Sequence, residues 1–215
     1  MAVLDWDHNA YYHRLLLRQM PQPCRRVLDV GCGAGAFASR LAQRSDQVDA
    51  LDRSAEMIEE AKRRTPENVN CVLADVLADS LPGRDYDAIF SISALHHMPL
   101  RRVLPVLADA LRPGGVIAAI ALPRPDVLRE LPVEIVAAAA YRMLGAIFLT
   151  KRLLGISSGF AKDSAHVNMP VVMNPPLTTR EAARLATAVL PGVRVRRLVF
   201  WRYLLTWQKP IIPES

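Results

Sequence analysis

A short apolar strand that runs directly into three alternating glycines constrains this chain more than any other feature. Residues 27–30 read VLDV, and glycines follow at positions 31, 33 and 35. Glycine lets a loop turn tightly and lets a ligand approach the backbone where no Cβ stands in the way. Open α/β sheets bind their ligands at such loops, between a strand and the helix that follows it. The stretch therefore predicts an α/β sheet with a ligand site at the end of its first strand.

Apolar runs alternate with amphipathic stretches along the first half of the chain, which favours a parallel sheet with right-handed crossovers. The spacing of apolar residues predicts strands and intervening helices. The strands are at 27–30, 47–51, 69–73, 86–91 and 116–121, and the helices at 36–43, 55–64 and 101–111.

The two ends of the chain complete this pattern. A helix over residues 9–20 comes first, and a second helix begins at Thr178, which forms a capping box with Glu181. Two final strands, at 193–198 and 202–208, must be antiparallel because their link is short. We predict an α/β fold with a Rossmann-like, seven-stranded, mostly parallel sheet, helices on both faces and an antiparallel terminal strand.

The chain is predicted to form a single domain over residues 1–215, with an insertion at 123–177 that interrupts the alternation. An apolar stretch in this insertion has about seventeen residues, near the lower limit for a membrane span. Arg142 and flanking prolines argue against a span, so we expect a helical lid over the carboxyl edge of the sheet. The N-terminus lacks a signal-peptide pattern, and Cys24, Cys32 and Cys71 lack metal-like spacing, so a cytoplasmic protein is expected.

Charge gives little indication of a macromolecular partner. The net charge is +6 and the pI about 9.6, but the arginines are spread along the whole chain and aromatic residues make up only 6%. A diffuse positive field raises non-specific attraction without selecting a partner. We therefore expect no specific nucleic acid, and the oligomeric state is left open.

Three carboxylates follow or end the first three predicted strands. Asp29 precedes the first glycine, where it would repel a pyrophosphate but attract an ammonium group. Asp52 has the spacing of an acidic residue that accepts hydrogen bonds from ribose hydroxyls, and Asp75 is placed to accept from an adenine amino group. The ligand implied has an adenosine and a cationic amino-acid end. Residues 31–36 also satisfy G-x-G-x-x-A, so an NAD-dependent oxidoreductase is an alternative that Asp29 disfavours.

Five motifs, in this order and spacing, resemble those of the class I S-adenosylmethionine-dependent methyltransferases of small-molecule type. They lie at residues 27–35, 51–54, 74–76, 86–91 and 111–115. The resemblance implies S-adenosyl-L-methionine as the cofactor and methyl transfer by in-line displacement as the reaction. The alternative is a protein of the same fold that binds the cofactor for a non-methylating activity such as cyclisation.

The resemblance also implies roles for the matching positions. The methionine part of the cofactor would be surrounded by Asp29, Gly31 and Gly33, and its ammonium would meet the carbonyl of Ser91. The ribose would be bound by Asp52, and the adenine by a set of four residues: Arg53, Met57, Asp75 and Val76. Tyr11 or Tyr12 would close over the cofactor, although an amphipathic helix that only seals the sheet explains these tyrosines equally well.

Histidines supply the candidates for a general base, which a phenol or enol acceptor can require. His96 and His97 follow the fourth strand, and His166 lies in the insertion. The ubiquinone-pathway O-methyltransferases resemble Glu-x-x-Glu-His here, whereas this chain has Ser93 and His96 at the acidic positions, so no metal is expected.

We expect adjacent side chains on a helix to point about 100° apart, so only one histidine would face a substrate. His96 is the candidate base, and His97 is expected to bond to backbone at the start of the next helix. Apolar residues of the insertion favour a small apolar or aromatic acceptor, such as a polyketide or quinone, with O-methylation preferred.

Overall fold

Seven strands form one sheet in the computed structural model, which describes residues 8–126, 142–143 and 175–211. Their order across the sheet is β3-β2-β1-β4-β5-β7-β6. Strands β1 to β5 are parallel, whereas β7 is antiparallel to both β5 and β6. The strands are β1 (Arg26–Val30), β2 (Gln47–Asp52), β3 (Val69–Leu73), β4 (Tyr86–Ile92), β5 (Leu111–Ala121), β6 (Arg194–Leu198) and β7 (Arg202–Gln208).

Helices pack on both faces, because the central strands are apolar on both sides. One core cluster includes Leu104 and Ala186, and the other includes Leu16, Leu41 and Ile58. The helices are α1 (His8–Leu17), α2 (Ala38–Ala42), α3 (Ala55–Arg64), α4 (Leu100–Ala110) and α5 (Thr179–Val189). This arrangement confirms the predicted fold class, including the antiparallel terminal strand.

Local signals in the sequence fix the starts of two helices. The hydroxyl of Ser54 accepts from the backbone N–H of Met57 at 3.3 Å, which caps α3. At α5 the capping box is complete, since Thr178 Oγ1 accepts from Glu181 N at 3.2 Å and Glu181 Oε2 accepts from Thr178 N at 2.8 Å. The predicted capping box is therefore confirmed.

Several element boundaries differ by one to five residues from the sequence-based prediction, those of α2 and β5 among them. Helix α2 is shorter than residues 36–43 because the glycine loop continues up to it. Strand β5 begins at Leu111, five residues before the predicted strand at 116–121. Leu111 pairs with Tyr86 and Val116 with Ala88, so the proline and glycines at 113–115 form an irregularity within the strand.

The ends of the predicted insertion lie side by side. Arg124 N donates to the carbonyl of Leu177 at 2.6 Å, and the Arg124 guanidinium contacts Glu181 at 3.0 Å. The insertion therefore leaves and rejoins the fold at one place, just beyond β5. Most of the lid predicted over 123–177, with His166, lies outside the described residues. No helix in the described ranges is long and apolar enough to cross a membrane.

Candidate functional site

The order in which successive strands are added reverses between the parallel strands β1 and β4, because β1 leads outward to β2 on one side and β4 leads outward to β5 on the other. The carboxyl ends of these strands leave a crevice where open α/β sheets bind ligands. The loops that border it are residues 31–35, 52–54, 74–76 and 93–98. All three carboxylates singled out in the sequence lie at this edge.

The glycine loop has a conformation and a packing that only glycine allows at its first position. Gly31 has φ +73, and a Cβ placed there would collide with the Cβ of Ala94 in the loop after β4. The N–H groups of Gly31 and Cys32 both donate to the carbonyl of Leu51, at 2.7 and 3.0 Å. The loop is thus tied to the end of β2 and packs against the loop after β4.

Asp29 is the most unusual group of the site. Its side chain is buried, and within the described part of the chain its Oδ2 atom has no hydrogen-bond partner. Burial, followed by the nearby charge of Asp52, raises the pKa of Asp29 to about 7. A buried carboxylate with an unused acceptor is destabilised unless a cation or donor reaches it. This arrangement fits the ammonium group that the sequence implied.

Asp52 organises the loop as well as bordering the crevice. Its Oδ2 accepts from the N–H of Gly33 and its Oδ1 from the N–H of Ser54, both at 2.9 Å. Each carboxylate oxygen has two lone pairs, so these bonds are compatible with further bonds from ribose hydroxyls. Next to it, Arg53 is exposed and Met57 is buried at the start of α3.

The turn after β3 is fixed by Asp75. The N–H of Leu77 donates to Asp75 Oδ1 at 2.8 Å, and the N–H of Asp75 donates to Asp79 Oδ2 at 2.8 Å. Val76 is buried against the core between them. Asp75 Oδ2 has no partner among the described residues, so an acceptor is present where the adenine edge was expected.

Ser91 joins the two strands that flank the crevice. Its side chain is buried, and its hydroxyl donates to the carbonyl of Val30 at 2.9 Å. Ser93 then adopts a left-handed conformation, with φ +55, and its N–H donates to the carbonyl of Ile120 at 2.8 Å. The sequence drew attention to the Ser91 carbonyl, and the structure adds a bonding role for its hydroxyl.

Tyr11 and Tyr12 attach α1 to the turn between β6 and β7. Tyr11 lies edge-to-face against Phe200, with ring centroids 5.5 Å apart, and is partly exposed. Tyr12 is buried, and its hydroxyl donates to the carbonyl of Val199. The structure therefore brings both tyrosines to the hairpin turn.

The two histidines have opposite surroundings. His96 is buried and its Nδ1 atom has no hydrogen-bond partner in the described ranges, whereas His97 is exposed. Burial, then His97 and Arg202, lower the pKa of His96 to about 3. Burial and Arg53 lower the pKa of His97. A group with so low a pKa accepts a proton weakly at neutral pH, which weighs against His96 as a general base.

Two expectations about these histidines are wrong. The His97 side chain makes no hydrogen bond within the described residues, because it faces solvent on a single helical turn, Leu95–His97. The rings also do not diverge, since their centroids are 4.2 Å apart with 33° between the planes. Rotation about the side-chain bonds brings them together, which backbone spacing alone does not predict.

One further residue at this edge was not identified from the sequence. Arg202 begins β7, next to Tyr203, which pairs with Ala121 at the end of β5. Its guanidinium is close enough to lower the pKa of His96. An arginine near a chain end carries no local signal for this position, which depends on β7 inserting beside β5.

Comparison with known proteins gives a consistent result. A family profile described as "Methyltransferase domain" matches residues 27–115. A Mycobacterium bovis protein described as an uncharacterized methyltransferase is 32% identical over 208 residues, covering 96% of this chain and 98% of the relative.

Two relatives with more specific names match shorter segments. A ubiquinone biosynthesis O-methyltransferase from Idiomarina loihiensis is 31% identical over 99 residues, covering 43% of this chain and 40% of the relative. The 27-O-demethylrifamycin SV methyltransferase of Amycolatopsis mediterranei is 35% identical over 100 residues, covering 43% and 37%.

Solved structures share the fold. DhpI in complex with SAH superposes with a TM-score of 0.60 at 23% identity, covering 96% of this chain and 89% of that chain. The N-methyltransferase NodS from Bradyrhizobium japonicum, in complex with S-adenosyl-L-homocysteine, has a TM-score of 0.58 at 17% identity, covering 96% and 90%.

Proposed function

Since this chain belongs to the class I S-adenosylmethionine-dependent methyltransferases, we propose that it methylates an oxygen atom of a small apolar or aromatic metabolite. The family assignment makes the protein an enzyme that uses S-adenosylmethionine. The acceptor and the methylated atom are the proposed part. Their support comes from the two relatives named as O-methyltransferases and from the apolar composition of residues 123–177.

The observation that carries the cofactor-binding part of the proposal is the buried Oδ2 atom of Asp29 beside the glycine loop, which has no hydrogen-bond partner among the described residues. We propose that Asp29 and the Ser91 carbonyl bind the amino-acid end of the cofactor. Gly31 and Gly33 have no Cβ, so the cofactor can come close to the backbone of the loop there. Asp52 would bind the ribose hydroxyls. The adenine would lie against the side chains of Arg53 and Met57 and the turn formed by Asp75 and Val76.

Bound S-adenosylmethionine supplies a methyl group on a sulfonium centre, and a nucleophile in line with the carbon–sulfur bond attacks the methyl carbon and displaces the sulfur. The protein's own contribution is then largely positioning, since a correctly oriented acceptor avoids much of the entropic part of the barrier. Asp29 and Asp52 would hold the donor from one side. The loop that contains His96 borders the acceptor side, with Tyr11 on α1 closing over the cofactor.

We also propose that residues 123–177 form a lid over the acceptor. Their two ends meet just beyond β5, through Arg124 and Leu177, at the carboxyl edge of the sheet. A segment that leaves and returns at this edge is well placed to cover the crevice and exclude water.

Paired acceptors that differ in one atom test the methylated element. The enzyme is incubated with deuterium-methyl S-adenosylmethionine and either 4-nitrophenol or 4-nitroaniline, and products are followed by mass spectrometry. We expect labelled methyl on the phenol and none on the aniline. Asp29→Asn is the control for cofactor-dependent transfer, and its product should fall with its cofactor affinity. Labelling of the aniline alone, or only of charged acceptors such as amino acids and nucleotides, would overturn the proposal.

A further inference from the structure

The loop after β4, residues 93–98, meets the glycine loop at one tight contact. A Cβ built on Gly31 would lie 2.2 Å from the Cβ of Ala94 and 3.7 Å from its Cα. Real Cβ atoms essentially never come as close to a neighbour as the first of these distances. The methyl group of Ala94 therefore occupies the space that a side chain at position 31 would need, and it belongs to the other wall of the crevice.

Hydrogen bonds fix the backbone on either side of Ala94. The N–H of Ser93 donates to the carbonyl of Ile120 at 2.8 Å, and Ser93 has φ +55, a left-handed conformation that is uncommon outside glycine. Residues in this conformation persist where their surroundings hold them, and they cluster at binding sites. The carbonyl of Ala94 accepts from the N–H of His97 at 3.0 Å, which closes the single helical turn that carries both histidines. The place of Ala94 thus sets the place of that turn.

The glycine loop is held from the opposite side by β2. The N–H of Gly31 donates to the carbonyl of Leu51 at 2.7 Å, and the N–H of Gly33 donates to the carboxylate of Asp52 at 2.9 Å. A ligand that bonds to Asp52 therefore acts on the same short backbone segment that Ala94 touches. Because packed atoms are nearly incompressible, a shift of one loop is passed directly to the other.

We propose that Ala94 is a positioning residue that couples the cofactor site to the loop on the acceptor side. Cofactor bound at the glycine loop holds Gly31 against Ala94, and this contact orders the loop after β4 before the acceptor arrives. Binding of the two substrates is then mutually favourable, since coupling between sites is reciprocal and the cost of ordering is met only once. The coupling rests on the proposed cofactor site at the glycine loop and is independent of which atom the enzyme methylates.

Hydrogen exchange measures this coupling without any acceptor. The full-length protein is labelled with and without saturating S-adenosylhomocysteine, and exchange of the peptide that contains residues 93–98 is followed by mass spectrometry. The N–H groups of Ser93, His97 and Met98 are hydrogen-bonded in the packed loop, so their exchange reports its opening. We expect S-adenosylhomocysteine to slow this exchange by about fivefold or more in the wild type.

Ala94→Gly removes the methyl group that fills the space at Gly31. This variant should bind S-adenosylhomocysteine, but the ligand should no longer slow exchange in residues 93–98. A merely structural role for Ala94 would speed exchange equally with and without the ligand. Ala78→Gly is the matched control, because Ala78 is exposed in the turn after β3 at the same edge and gains the same backbone freedom. It should keep the full slowing.

A double-mutant cycle tests the contact itself. Gly31→Ala should weaken S-adenosylhomocysteine binding for two reasons, the collision with Ala94 and the unfavourable φ of +73. Only the second reason remains in the Ala94→Gly background, so we expect the loss there to be about tenfold smaller. Gly35→Ala is the control, since its φ is +80 and its Cβ meets Thr65 at 2.5 Å rather than the loop after β4. Its loss, measured by calorimetry, should be equal in both backgrounds.

Three results would overturn the coupling: exchange in residues 93–98 that the ligand leaves unchanged in the wild type, slowing that Ala94→Gly keeps or Ala78→Gly also loses, and a Gly31→Ala loss that is equal in both backgrounds. These differ from failures of the proposed function. Unaltered affinity of Gly31→Ala for S-adenosylhomocysteine would refute the proposed cofactor site, and the coupling with it. Methylation of amines alone would refute the proposed O-methylation and leave the coupling intact.

Discussion

Buried charged groups have different surroundings at the two edges of the sheet, the amino edge, where the parallel strands begin, and the carboxyl edge, where they end. At the amino edge, Asp49 is fully buried and both its carboxylate oxygens are engaged. Its Oδ2 accepts from Tyr86 Oη at 2.8 Å and pairs with Arg26 at 2.8 Å, and its Oδ1 accepts from Asn70 Nδ2 at 2.8 Å. At the carboxyl edge, the buried Asp29 and His96 each keep an atom without a described partner.

Asp87 repeats the amino-edge pattern. Burial by itself raises the pKa of Asp87, but hydrogen bonds from the Arg26 and Arg25 N–H groups and from Arg112 outweigh it, and the net shift is downward. Burial raises the pKa of Asp29, where no such bonds compensate it. This contrast indicates that the amino edge of the sheet is arranged for stability, whereas the carboxyl edge holds polar groups available to a ligand.

The largest expected effect comes from removing an amino-edge carboxylate. Asp49→Ala leaves the buried Tyr86 Oη without its acceptor, and it also removes the acceptor of Asn70 and the ion pair of the partly exposed Arg26. Together these losses should cost about 2 to 4 kcal/mol. We expect the free energy of unfolding to fall by about this amount in urea denaturation.

Glu59→Gln is the matched control, because Glu59 pairs with Lys62 on the exposed face of α3. Exposed ion pairs contribute little to stability because water and salt screen them, so this variant should be close to wild type. Affinity for S-adenosylhomocysteine, measured on folded Asp49→Ala protein, should be nearly unchanged. A large loss of affinity without a loss of stability would contradict the assignment of stability to the amino edge and of ligand binding to the carboxyl edge.

At the carboxyl edge, we expect removal of a buried carboxylate to have the opposite effect, a gain in stability together with a loss of ligand binding. Asp29→Asn should weaken the binding of S-adenosylhomocysteine by about 1.5 to 3 kcal/mol, since a charge-assisted hydrogen bond to the ammonium is lost. The same variant should stabilise the ligand-free protein at pH 8. The folded pKa of about 7 is above the ordinary 3.8, so the stability of the wild type falls as pH rises between these values and is then constant.

Calorimetry for binding and denaturation for stability measure the two halves of this prediction. Asp75→Asn is the comparison at the same edge, because Asp75 is only partly buried and one of its oxygens is already engaged by Leu77. It should lose affinity without a gain in stability. An Asp29→Asn protein that is less stable than wild type at pH 8 would show that Asp29 has a structural partner.

The smallest expected effect is a pH dependence of cofactor binding. The ammonium pairs with ionised Asp29, whose pKa in the free protein is about 7, so binding at lower pH must first remove a proton. Affinity for S-adenosylhomocysteine should fall as pH decreases below about 7, approaching about tenfold per unit. Calorimetry in two buffers of different ionisation enthalpy should detect proton release at pH 6. Asp29→Asn should show neither effect, and a flat wild-type profile between pH 5 and 8 would contradict the assignment.

Much of the fold and of the candidate cofactor site could be predicted from the sequence, because the signals are local. Asp29, Asp52 and Asp75 each follow or end a strand, and parallel strands bring their carboxyl ends to one edge. The capping box likewise depends on two residues, Thr178 and Glu181, that are three positions apart. Such patterns can be recognised in the sequence without any knowledge of the tertiary contacts.

The acceptor side could not be predicted in this way. The side chain of His97 was expected to bond to backbone, but it is exposed and makes no hydrogen bond within the described residues, and its ring lies against His96 rather than away from it. Side-chain rotation and solvent exposure at a single helical turn depend on what packs around it. Neither has a periodic signature in the chain.

By itself, the sequence determined the strand–helix alternation, the glycine loop and the carboxylates at one edge, since each depends on residues close together in the chain. The tertiary contacts were needed to show that Asp29 has a buried oxygen without a described partner, and that Arg202 contributes to the lowered pKa of His96. The physical reason is that desolvation and long-range charge depend on the complete packing. Strand β7 returns antiparallel beside β5, and this return carries an arginine from near the chain's end to the mouth of the crevice.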